Sequence, residues 1–220
     1  MGIIARVFTG AAAAALLAGA ADAASATFNF GASSNGSWVN ELTYSAPGLT
    51  LSVTGQDIYG RFSEVQTWAG HGLGVYSFRD DSHQIDSAGR DDIAVLSFSR
   101  PVTIRSLAFS YVDGTDSFNF LVDAGSGLMK IFTDKVAPNY ALAGDQTAQR
   151  FGVGATVTTL LSCSLLYATQ CSTSYYESAF KLWAVTVDYD EPSPVPLPAA
   201  GFMALAGLGA LGALRRVRRR

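Results

Sequence analysis

The chain has 220 residues, 49% of them hydrophobic, with 15 Lys and Arg against 18 Asp and Glu and a formal net charge of −3. That charge is unevenly spread: residues 24–190 carry nine Lys and Arg against sixteen Asp and Glu, a balance of −7, while Arg215, Arg216, Arg218, Arg219 and Arg220 crowd the end. An acidic body repels phosphate backbones, which argues against nucleic acid as a partner, and its length suits one domain with a substantial core rather than two.

Residues 1–23 read MGIIARVFTGAAAAALLAGAADA, with one cation at Arg6, an apolar run, and Ala21-Asp22-Ala23 as a small-x-small cleavage site. This is the layout of a secretory signal peptide. The apolar run is too short and too rich in alanine to anchor in a bilayer, so export with removal is expected.

From residue 24 onward the dominant period is two. Short runs that alternate apolar and polar residues, or concentrate β-branched and aromatic ones, fall at 26–30, 38–44, 49–54, 93–98, 102–111, 117–122, 129–133, 156–161 and 180–189. Turn signals separate them: Asn35-Gly36, Pro47-Gly48, Asp113-Gly114, Gly125-Ser126-Gly127 and Pro138-Asn139. No stretch keeps a helical period over three turns, and no repeat of solenoid length is present. The pattern predicts an all-β domain over 24–190, a single antiparallel β-sandwich of jelly-roll type.

Between the Gly-rich segment AGHGLGVYSF and the apolar strand at 93–98 lies RDDSHQIDSAGRDD. Its aspartates, Asp80, Asp81, Asp86, Asp91 and Asp92, raise the question of a structural calcium ion, which takes six to eight oxygen ligands. The spacing matches neither an EF-hand loop nor a nonapeptide repeat, so a solvated acidic loop is the alternative. Further on, Cys163 and Cys171 in CSLLYATQC predict a disulfide closing a short loop, as befits an exported protein. Redox chemistry would sit better on a C-x-x-C spacing, and a metal site would need further ligands.

Groups for catalysis are sparse. His71 and His83 are the two histidines, neither lies in an H-E-x-x-H arrangement, and no nucleophile elbow, phosphate loop or dinucleotide fingerprint occurs. An enzyme is not expected. Aromatic side chains that stack on sugars are a more promising feature, with Trp38, Tyr44, Tyr59, Trp68 and Tyr76 as candidates; Tyr59 and Trp68, set among polar residues and glycines, are the ones expected at the surface.

The end of the chain has three parts. Residues 191–194, Glu-Pro-Ser-Pro, form a linker in which proline halts both strand and helix. An uncharged run over 195–214 follows, about as long as the ~20 residues that cross a bilayer as a helix, and the arginine cluster would hold its end on the cytoplasmic side. Val195-Pro196-Leu197-Pro198-Ala199, then the Gly- and Ala-rich run, then the arginines resemble the VPLPA variant of the PEP-CTERM sorting domain of exported proteins in Gram-negative bacteria. The stretch from GLGVYSF to RPVTIRSLAF also resembles the body of many proteins with this tail. The resemblance implies an exosortase as processing partner, transient anchoring in the inner membrane, delivery to the cell surface or extracellular matrix, and association with exopolysaccharide and biofilm. Two roles for the body are then expected: a non-enzymatic surface or matrix protein, or a carbohydrate-binding module for the cell's own exopolysaccharide.

Overall fold

The computed structural model describes residues 23–31, 34–77, 83–144, 146–163 and 171–191. Residues 1–22 of the expected signal peptide over 1–23, residues 192–220 with the expected sorting motif and the arginine cluster, and Asp80 and Asp81 lie outside the described residues. Ala23–Glu191 forms one compact unit. Among the described residues there is no helix, and the strands are β1 (Ala23–Asn29), β2 (Glu41–Ala46), β3 (Leu49–Asp57), β4 (Phe62–Trp68), β5 (Gly72–Tyr76), β6 (Ile85–Asp86), β7 (Asp92–Ser110), β8 (Ser117–Asp123), β9 (Leu128–Lys135), β10 (Asn139–Ala141), β11 (Thr147–Ala155), β12 (Thr158–Cys163), β13 (Cys171–Tyr176) and β14 (Ala179–Asp190).

All the pairings are antiparallel, as the alternating pattern predicts, but the sandwich expectation is corrected: β7, β3, β4, β5 and β14 close on one another as a five-strand barrel. The reason lies in β7. The runs at 93–98 and 102–111 predict two strands, yet they form a single strand of 19 residues. One edge of β7 pairs with β3 from Asp92 to Phe98 and then with β14 from Thr103 to Ser110. A single bent strand therefore serves two walls that a sandwich would build from separate strands.

The bend is at residues 98–101. Along β11 the partners pass from Arg150 to Ala148, while on β7 they jump from Ser97 to Val102. Pro101 sits in this irregularity, where its lack of an N–H removes no ladder hydrogen bond. A second register shift, between Ile104 and Ser106, reverses the inward phase of β7. Ala94, Leu96, Phe98, Val102 and Ile104 point into the core before it, and Leu107 and Phe109 after it.

β11, β8 and β9 continue the sheet from the other edge of β7, and β10 pairs there beside residues 106–108. They extend the core with a run of packed rings: Phe109 with Phe118 and Phe180, Phe120 with Phe132 and Phe151, and Tyr140 against Phe118. The fully buried ones, Phe118, Phe120, Phe151 and Phe180, contribute about 1.5–3 kcal/mol each relative to exposure. β12 and β13 pair only with each other among the described residues, in a register that sets Cys163 opposite Cys171. Directly opposed residues in an antiparallel pair have Cα atoms about 4.5–5.5 Å apart, within the span of a disulfide.

Candidate functional site

The outer faces of β4, β5 and β14 carry a cluster of rings around a lysine. Alternation along β4 turns Val65 into the core and leaves Trp68 on the outer face; along β5 it buries Leu73 and Val75 and leaves Tyr76 outside. On β14, Phe180 and Leu182 point inward, which places Lys181 on the outer face. Trp38 arrives from the segment before β2, which is fastened to β4 by paired Val39 and Val65 backbones at 3.0 and 2.8 Å and by the Gly36 N–H on the Thr67 carbonyl at 2.9 Å.

Two glycines make room for the remaining members. A side chain at Gly72 would strike the Leu182 carbonyl at 2.5 Å, and one at Gly74 would overlap the His83 carbonyl. Bare backbone at 74 lets the segment carrying His83 lie across β5. In GHGLG, Gly70 and His71 form the β4–β5 turn, while Gly72 and Gly74 are strand residues at close-approach sites.

His83 stacks on Trp68, with centroids 4.8 Å apart and planes at 21°, and lies 5.9 Å from Trp38, which in turn meets Tyr76 at 5.3 Å. On the other side His71, from the β4–β5 turn, meets Tyr111 edge-on at 4.6 Å, its Nε2 3.4 Å from the Tyr111 hydroxyl. Tyr111 holds a left-handed backbone conformation, φ +54°, and is 55% exposed. For a large aromatic residue that conformation is strained by about 1–3 kcal/mol, a strain that clusters at functional positions.

Lys181 lies between these groups. Its ammonium is 4.9 Å from the Trp68 ring centre and 5.8 Å from that of Tyr111, both within cation–π range, and it donates a hydrogen bond to the His83 carbonyl. The residue is only 4% exposed. Burial pushes its pKa down to about 8 because desolvation disfavours the charged form. Among the described residues no carboxylate pairs with it. The Trp68 indole N–H is also buried without a hydrogen-bond partner among them.

Of the residues singled out in the sequence, Trp38, Trp68 and Tyr76 are brought together here. Tyr59 is not: it stands 74% exposed at the β3–β4 turn with the Arg61 guanidinium 5.5 Å from its ring centre. Tyr44 packs edge-on against Phe30 at 5.1 Å, and burial raises its hydroxyl pKa to about 12. The described aspartates of the acidic segment diverge. Asp92 is buried and accepts from the Ser77 hydroxyl; Asp86, also buried, accepts from the Ala88 N–H at 2.9 Å. Asp91 lines a separate cleft of about 240 Å³ on the outer face of the β7–β11–β8–β9 sheet, with Ile93, Leu121 and Lys130. Burial raises the Asp91 pKa, partly offset by Lys130. Among the described residues no three His, Cys, Asp or Glu side chains converge in a way that could hold a metal ion.

Lys181 and Tyr111 are members that sequence reasoning passes over, and His71 is weighed there only for catalysis. The sole signal for Lys181 is its place at an outward position of an otherwise apolar strand, AFKLWAV. No family model, curated protein or solved structure matches the chain.

Proposed function

We propose that this is an exported, non-enzymatic surface or matrix protein whose body binds the cell's own exopolysaccharide on the face formed by Trp38, Trp68 and Tyr76. The observation that carries this reading is the gathering of three partly exposed aromatic rings and His83 on one outer face, Trp68 and Tyr76 at the ends of β4 and β5 and Trp38 and His83 on segments packed against them. Sugar rings present apolar C–H faces that stack on such surfaces, while their hydroxyls need polar neighbours. His71, His83 and the Tyr111 hydroxyl supply those neighbours. An enzymatic reading lacks a comparable support: among the described residues the Tyr111–His71 pair has no third group that orients it toward a nucleophile or an opposed carboxylate.

In this account the C-terminal segment delivers the body. VPLPA, the apolar run and the arginine cluster are the address read by an exosortase, with the membrane as a transient anchor before release to the surface or matrix. Asp86 and Asp92 are buried, which corrects the expectation of a solvated acidic loop, and the described aspartates do not converge as the ligands of a calcium ion would. The direct test is co-sedimentation of the full chain, isolated from the cells that make it, with the exopolysaccharide those cells shed. Retention in the polymer pellet supports the reading, and a protein left wholly in the supernatant refutes it.

A further inference from the structure

We infer that the saccharide recognised at this face is an acidic one, whose carboxylate is held by the Lys181 ammonium beside the Trp68 and Tyr111 rings. The inference rests on the saccharide-binding reading above and narrows it to a chemical class. An ammonium has three N–H donors, and Lys181 places one on the His83 carbonyl. No carboxylate among the described residues takes the charge, although the residue is almost wholly buried. Burying a cation without a counter-charge is costly, and such positions are otherwise filled by apolar side chains of similar volume at no loss of stability.

The chemistry around the ammonium is consistent with a bound anion. Two aromatic faces attract the cation without neutralising it, and both histidines stand on the same rings. The depressed pKa still leaves the lysine largely charged near neutral pH. On the side toward Tyr111 and His71 the residues are exposed, which gives a polymer a way to reach the ammonium without unfolding a strand. A uronate fits both halves of the site, offering a pyranose face for Trp68 and a carboxylate for Lys181. The balance of −7 over residues 24–190 would repel such a polymer elsewhere on the body, so recognition would be confined to this spot.

The experiment measures affinity of the full chain for the exopolysaccharide shed by the producing cells, before and after its carboxyl groups are chemically reduced to alcohols. Three proteins are compared: the unaltered chain, Lys181→Met and Trp68→Ala. The unaltered chain should bind the native polymer at least tenfold more tightly than the reduced one. Lys181→Met should lose that preference while melting at or above the temperature of the unaltered chain, and Trp68→Ala should weaken binding to both polymers. Equal binding of native and reduced polymer by the unaltered chain would overturn the acidic assignment and leave the saccharide reading standing. A Lys181→Met protein that unfolds more easily and weakens both polymers alike would show a structural brace, which also overturns it. Binding of neither polymer by the unaltered chain would remove the saccharide reading and this inference with it.

Discussion

The carbonyl oxygen of His83 occupies the space in which a side chain at Gly74 would begin. This contact ties the strand β5 to the stacked pair of His83 and Trp68, since the segment bearing His83 can lie on the sheet only where residue 74 has no Cβ. Gly74→Ala should therefore lift that segment, at a cost of about 1–3 kcal/mol from forced overpacking. Denaturant unfolding should show a lower midpoint with an unchanged slope, and quenching of Trp68 fluorescence by the imidazole should be relieved. A variant as stable as the parent would mean that His83 does not rest there.

The lysine gives a pH signature. Its folded pKa of about 8 lies below the ~10.4 of an unfolded chain, so between these values the unfolded state binds more protons. Stability from this group must then rise as pH increases from about 8 toward 10, and the penalty is fully present below about 8. Among the described residues the titratable groups around Lys181 are His83, Tyr111 and, beyond Tyr111, His71. Melting temperature followed from pH 7 to 10 should climb less steeply in Lys181→Met than in the parent; parallel profiles would contradict the burial of the charge.

The β12–β13 register sets Cys163 against Cys171, and a disulfide across that hairpin should add about 2.5 kcal/mol on chain-entropy grounds. Intact mass before and after alkylation should reveal no free thiol in the isolated protein. Cys163→Ser with Cys171→Ser should lower stability by that order while leaving saccharide binding unaltered.

Much of the strand content is legible in the sequence because β3, β7, β8 and β14 alternate cleanly or carry dense β-branched and aromatic residues. β5 and β11 are harder to read, and their glycines are the reason. Gly72 and Gly74 on one, Gly152 and Gly154 on the other, look like turn formers. In the fold they mark places where backbone or side chains of a neighbour press closely, as at Gly152, where a Cβ would lie 3.1 Å from Ile93 and 3.2 Å from Leu121. The barrel is hidden for a similar reason: Pro101 reads as a break between two strands, whereas a bulge absorbs it inside one. At the candidate site Trp68 is legible as an aromatic residue in polar surroundings, and Trp38 and Tyr76 only as aromatic candidates. Lys181 is not, because its neighbours come from β4, the β4–β5 turn, the end of β7 and the segment before β6, which are distant in sequence.

The proposed sorting role of residues 195–220 makes a separate prediction. Intact mass and cell fraction of the protein from its host should show a C-terminus near residue 198 and a surface or matrix location. Deletion of residues 195–220 should send the body to the medium or to degradation. A full-length tail retained in the inner membrane would replace the exosortase account with permanent tethering.

Titrating the shed polymer into three forms of the protein shows whether the Trp38–Trp68–Tyr76 face holds exopolysaccharide. Trp68→Ala should weaken binding by about three- to tenfold or more, the scale of one lost aromatic stack of roughly 0.5–1.5 kcal/mol, while Tyr59→Ala, altering an equally aromatic but isolated ring, should bind as the parent does. Equal affinity of the parent and Trp68→Ala, or a loss confined to Tyr59→Ala, would contradict the claim and move the binding surface away from this face.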